Sequence, residues 1–156
     1  MPANEPGNDP VVITREFAAP ARLLFLAYSS CEHISKWFGP VGWPVTMCEI
    51  DFRVGGKWRM AMTGSTGVQN TPFGGTYLEI VPDKRIVFDN GFEAPGAERM
   101  VMTVTFEEKA GGKTLLTLST QFGSLRMRGE HVGMGFVQGS NSGLDQLGDF
   151  VATMHG

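Results

Sequence analysis

Apolar and polar residues alternate in short runs through most of the chain, and only near the C-terminus does the period lengthen. Val11, Ile13, Arg15 and Phe17 alternate with Val12, Thr14 and Glu16, which predicts an opening strand. Pro20 stands where a helix can begin, because the first turn needs no N–H from it. Leu23, Leu24, Ala27 and Tyr28 then recur at helical spacing. Ser29 or Ser30 can cap a second short helix with Glu32 near its positive end. That helix runs toward Trp37, and Gly39-Pro40 stops it.

From Pro44 onward the pattern is one of strands, over 45–52, 57–62, 75–81, 85–90, 99–107 and 114–122. Turn residues separate them: Gly55-Gly56, Gly64-Ser65-Thr66-Gly67, Pro82-Asp83 and Gly111-Gly112. Short links between consecutive strands favour an antiparallel meander. Gly55-Gly56 reads as a hairpin turn that needs positive φ. It is not a phosphate loop, because it lies between two strands and lacks the required spacing. Within the strands one face is dry. Trp58, Met60 and Met62 oppose Lys57 and Arg59; Met102, Val104 and Phe106 oppose Thr103, Thr105 and Glu107; Leu116, Leu118, Thr120 and Phe122 form a third row. Such alternation is expected when only one face of a sheet is covered.

The cover is the final segment. Val137, Asn141, Leu144, Leu147, Val151 and Met154 fall three or four apart, on one face of a helix. Gly133, Gly135, Gly139, Gly143 and Gly148 interrupt it, and each glycine inside a helix costs about 0.5–1 kcal/mol relative to alanine. Close approach to the sheet, or room for a ligand, are two reasons to accept that cost.

Charge and composition narrow the function. A net charge of -3 with no basic stripe excludes nucleic acid as the expected partner. No apolar run is long enough to span a bilayer. Residues 1–9 are polar, contain two prolines and lack a hydrophobic core of the kind a secretory signal needs. They read as a disordered tail, with 10–156 as a single domain in a cytoplasmic protein. Two cysteines, Cys31 and Cys48, make no disulfide framework and read first as reduced thiols, with a disulfide or a reactive thiol as the alternatives.

The order of several short signatures adds a family. Arg15-Glu16-Phe17-Ala18-Ala19-Pro20, Trp37-Phe38-Gly39-Pro40, Asp51-Phe52-Arg53-Val54-Gly55-Gly56-Lys57-Trp58-Arg59 and Gly75-Thr76-Tyr77-Leu78-Glu79-Ile80 follow one another, before the glycine-rich helix. Together they resemble the Hsp90-ATPase-activator-like branch of the START/Bet v 1 (SRPBCC) superfamily. The resemblance covers roughly Val11 to the C-terminus. It implies an α+β helix-grip fold: a curved antiparallel sheet of about seven strands wrapped around a long C-terminal helix, with two short helices after the first strand. It also implies a cavity between sheet and helix, and a possible homodimer. It places Trp37 near the cavity mouth and Trp58 on a central strand. The chain departs from the family where Asn90-Gly91-Phe92 replaces a tryptophan after the fifth strand, and where Gly135-Phe136 replaces Gly-Trp.

Three functions are open. The first is binding of a small hydrophobic molecule, because the dry rows are rich in methionine and aromatic residues, among 9 Met and 11 Phe in the chain. Its expected lining is Trp58, Met60, Met62, Met102, Val104 and Leu118 from the sheet, with Phe88, and Val137 and Leu144 from the helix. Trp37, Trp43 and Phe73 should frame the mouth. The second is an enzyme, cyclase- or hydrolase-like, acting on a hydrophobic substrate in the same place. It needs an acid or base, and His131, expected in a loop before the last helix, is the candidate. Asp51, Glu79, Asp89 and Glu98 pair with nothing by spacing. The third is a chaperone-interaction module acting on Hsp90. His33, His131 and His155 have no metal spacing, and no cofactor is implied.

Overall fold

The structure is a computed structural model that describes residues 5–39 and 41–154. The opening alternation folds as β1 (Val11–Phe17), and Pro20 caps α1 (Ala21–Ala27) from the extended region. Ser30 caps α2 (Cys31–Ile34), its hydroxyl accepting from His33 N–H. The meander then runs through β2 (Val45–Ile50), β3 (Lys57–Met62), β4 (Phe73–Val81), β5 (Arg85–Phe92), β6 (Met100–Lys109) and β7 (Lys113–Phe122). All seven strands form one antiparallel sheet in the order β1-β7-β6-β5-β4-β3-β2. Gly55 does take a positive φ of 84° in the β2–β3 turn, and a Cβ on Gly56 would lie 2.0 Å from the Asp51 carbonyl oxygen.

Parity along the strands decides the core. On β7, Thr114, Leu116, Leu118, Thr120 and Phe122 are buried, and on β6 Met100, Val104 and Phe106 are buried. These rows meet α1 and the C-terminal helices, joined by Leu24, Leu144, Leu147 and Val151. The architecture is the curved sheet and helical cover of a helix-grip protein.

The expected long C-terminal helix is present as the last element of the cover, and a second helix precedes it where a loop was expected. Ser124 Oγ accepts from Met127 N–H and starts α3 (Leu125–Gly133). Gly135, at φ 94°, turns the chain in the left-handed region that glycine tolerates, and α4 (Phe136–Val151) begins after it. His131 therefore lies on a helix and not in a loop. α4 is tied to β1 through Arg15, whose guanidinium reaches Asp145 Oδ1 at 2.7 Å and Asn141 Oδ1 at 3.1 Å.

Of the expected tail, residues 1–4 lie outside the described residues, and Asn8 and Asp9 are held by β7 and α3. β1 pairs with β7 only up to Thr120, so the next residues of β7 bind the incoming chain. Asn8 Nδ2 donates to Phe122 O at 3.0 Å, Gln121 Nε2 donates to Asn8 O at 2.9 Å, and Arg128 Nε donates to Asp9 O at 2.9 Å. The cysteines are also not free: Cys31 of α2 and Cys48 of the edge strand β2 form a disulfide, with Cα atoms 5.8 Å apart. A disulfide persists in oxidising surroundings and is rare in the cytosol, so free thiols no longer argue for a cytoplasmic setting. Among the described residues no helix is long and apolar enough to cross a membrane. His155 lies outside the described residues.

Candidate ligand-binding site

The helical cover leaves a hollow of about 300 Å³ between α3, α4 and the inner face of the sheet. Its walls come from five strands because the inner rows converge there. Trp58 and Met62 come from β3, Phe73 from β4, Phe88 from β5, Met102 and Val104 from β6, and Leu118 from β7. Trp37 closes one end and Leu144 faces it from α4. Trp58 is the hub of the aromatic wall, meeting Phe73 edge-on at 5.9 Å and Phe88 at 5.4 Å between ring centres. Such contacts fix ring orientation.

A break in the sheet holds Trp58 in place. Between Gly74↔Gly91 and Tyr77↔Phe88 the β4–β5 ladder is interrupted. The Trp58 indole donates to Asp89 O at 3.2 Å, and the Asp89 carboxylate accepts from Thr76 N–H at 2.6 Å and Arg99 Nε at 2.7 Å. Gly75 is required there, since its Cβ would sit 2.1 Å from that same carbonyl oxygen.

Three of the expected lining residues are placed elsewhere. Met60 is buried beside a separate void of about 20 Å³ with Tyr77 and Ile86. Val137 packs between the two core clusters and not on the hollow's wall. Trp43 is exposed and lies over Gly64. The mouth is also displaced. Trp37 and Phe73 are only 3% and 6% exposed, while Met134 and Phe92 on the lining are 79% and 41% exposed. The hollow meets solvent at the α3–α4 joint, beside His131.

His131 belongs to an aromatic stack. Its ring lies nearly parallel to Phe92 at 6.3 Å and to Phe122 at 5.3 Å, with Phe136 edge-on. Burial lowers its pKa below the ordinary imidazole value, against a weaker opposing pull from Glu130. The ring is therefore neutral at neutral pH. Among the described residues no carboxylate or serine hydroxyl hydrogen-bonds to it. Burial likewise pushes the Tyr28 phenol well above its usual range.

The polar groups on the wall are amides and hydroxyls: Asn70, Asn90, Ser140 and Tyr28, beside His131. Among the described residues no Asp, Glu, Lys or Arg lines the hollow. Of the two reasons the sequence offers for Gly139 and Gly143, room for a ligand fits their place on the wall, whereas Tyr28, Phe92 and Phe136 were missed as lining. The alternation Phe88-x-Asn90-x-Phe92 was the available signal for Asn90, an amide set in an apolar row.

A second concavity, about 760 Å³, opens on the outer face over Gly74, Gly75 and Gly91. It is larger but charged, and its arginines are already engaged. Arg59 grips Glu93 through Nε at 2.5 Å and Nη2 at 2.9 Å, holding that carboxyl below its ordinary range, and Arg99 grips Asp89. Among the described residues no group of three His, Cys, Asp or Glu side chains is placed to hold a metal ion.

The family model described as Activator of Hsp90 ATPase homolog 1-like protein matches residues 18–152. No curated protein matches the chain. Solved structures resemble it over nearly its whole length. A protein from Nitrosomonas europaea is 24% identical, covering 95% of this chain and 97% of its own, with a TM-score of 0.82. One from Rhizobium leguminosarum is 28% identical over 93% and 95%, at 0.72. The AHSA1 protein from Silicibacter pomeroyi is 22% identical over 94% and 99%, at 0.76.

Proposed function

The chain belongs to the Activator of Hsp90 ATPase homolog 1-like family, and from that premise we propose that it binds a small, uncharged, hydrophobic molecule in the hollow between the sheet and α3–α4. The observation that carries this reading is the pair Gly139 and Gly143 on the wall that α4 contributes. A solid core would place large side chains there, and glycine costs the helix about 0.5–1 kcal/mol at each position. An apolar cavity of about 150 Å³ takes a benzene-sized guest. Twice that volume suits two rings. A charged guest is disfavoured, because an ion buried without a partner costs far more than apolar contact returns.

Isothermal titration with naphthalene tests the reading: saturable one-to-one binding supports it, and no heat of binding at the solubility limit contradicts it. The enzyme reading is weaker. It rests on His131 alone, whose ring is stacked between phenyl groups. The family's description favours a chaperone role, and stimulation of Hsp90 ATPase by the purified protein would support that second reading.

A further inference from the structure

We infer that Asn90 makes this hollow selective for a neutral guest carrying a hydrogen-bond donor, such as a phenolic or alcoholic hydroxyl on a two-ring body. The inference deepens the ligand-binding reading and rests on it. Asn90 lies on the inner row of β5, between Phe88 and Phe92, and its side chain borders the hollow. Its Nδ2 donates to the Met102 sulfur at 3.6 Å. Its Oδ1 is closed off from solvent and has no hydrogen-bond partner among the described residues.

A thioether accepts a hydrogen bond and cannot donate one. Turning the amide over would set its oxygen against the sulfur, acceptor to acceptor, so the N–H end belongs at Met102. The oxygen is then the end left wanting a donor. A leucine in its place would continue the apolar row and leave no polar atom unmet, so the amide works against packing unless something binds it. A guest hydroxyl is the missing donor; to reach it the amide must turn toward the hollow, exchanging the long Nδ2···Sδ contact with Met102 for a hydrogen bond from the guest to Oδ1. A carboxylate guest fails on two counts. It brings no proton to Oδ1 at neutral pH, and among the described residues no cation on the wall offsets its charge.

The test is calorimetric titration of the whole protein with three probes of one size: 2-naphthol, 2-methylnaphthalene and 2-naphthoate. Wild type should bind 2-naphthol about five- to tenfold more tightly than 2-methylnaphthalene, the worth of one buried hydrogen bond. It should bind 2-naphthoate most weakly. In Asn90→Leu the ratio of the first two should fall to about one, and the melting temperature should not drop. Should Asn90→Leu fail to fold, Asn90→Ala carries the same comparison. Equal wild-type affinity for 2-naphthol and 2-methylnaphthalene overturns the inference while leaving ligand binding intact, as does a naphthol advantage that survives loss of the amide. Failure of all three probes to bind overturns the ligand-binding reading, and this inference with it.

Discussion

The two ends of the sheet's inner face share strands and helix yet are built differently. Under α1, β6 offers Phe106, β7 offers Leu116, and α4 answers with Leu147 and Val151; all are at most 5% exposed. Toward the α3–α4 joint, β6 offers Met100 and Met102, β5 offers Asn90, and α4 answers with Gly139 and Gly143. The strands' parity is the same at both ends. What differs is the helix, which packs Leu147 and Val151 into one end and sets Gly139 and Gly143 between Phe136 and Leu144 at the other. A sheet face becomes a core or a hollow according to what is laid across it.

The largest expected effect separates the ends by stability. Leu147→Ala should cost about 2–5 kcal/mol in urea unfolding, because a fully buried leucine leaves a cavity. Met102→Ala should cost clearly less, since its side chain already borders empty space. Equal losses would erase the distinction. Met62→Trp is the converse test. At the hollow end it should abolish naphthalene binding with little change in melting temperature, whereas in a solid core the same overpacking costs about 1–3 kcal/mol.

A smaller effect has the opposite sign. A Cβ on Gly143 would meet Gly39 backbone atoms at 3.9 and 4.0 Å, which is ordinary contact. Gly143→Ala should therefore stabilise the protein by about 0.5–1 kcal/mol through helix propensity while weakening naphthalene binding. A destabilised Gly143→Ala would mean that the glycine is needed for packing and not for space.

The smallest effect is pH dependence at the rim. Burial depresses the His131 pKa in the folded state, so the unfolded chain takes up the proton more readily. This contribution to stability is complete above the ordinary imidazole pKa of 6.5 and is lost as pH falls through the lower folded value. Paired unfolding curves should show His131→Phe losing less stability than wild type on acidification below about 6.5. Parallel pH profiles would remove His131 from the stack.

Much of this frame was legible in the residues. Period-2 alternation gives seven strands, because side-chain parity is a local property. Trp58, Met102 and Leu118 fall on the inner face for that reason. The split between α3 and α4 was harder: Gly133 and Gly135 both look like flaws in a helix, and only the backbone angle at Gly135 shows which one ends it. The Cys31–Cys48 bond was not legible, since it depends on α2 coming to rest against the edge strand β2. The lining was legible as a face and not as an end. Met60 and Met62 share parity, yet only Met62 borders the hollow, because what decides between them is the helix opposite.

The most direct test of a hollow built to hold a guest is an anomalous difference map from crystals grown with 2-bromonaphthalene. The account predicts one bromine peak inside the wall of Trp58, Met102 and Gly139, with the rings of Phe73 and Phe88 unmoved. A map without a peak there at saturating probe, or side chains collapsed to fill the space, would contradict it.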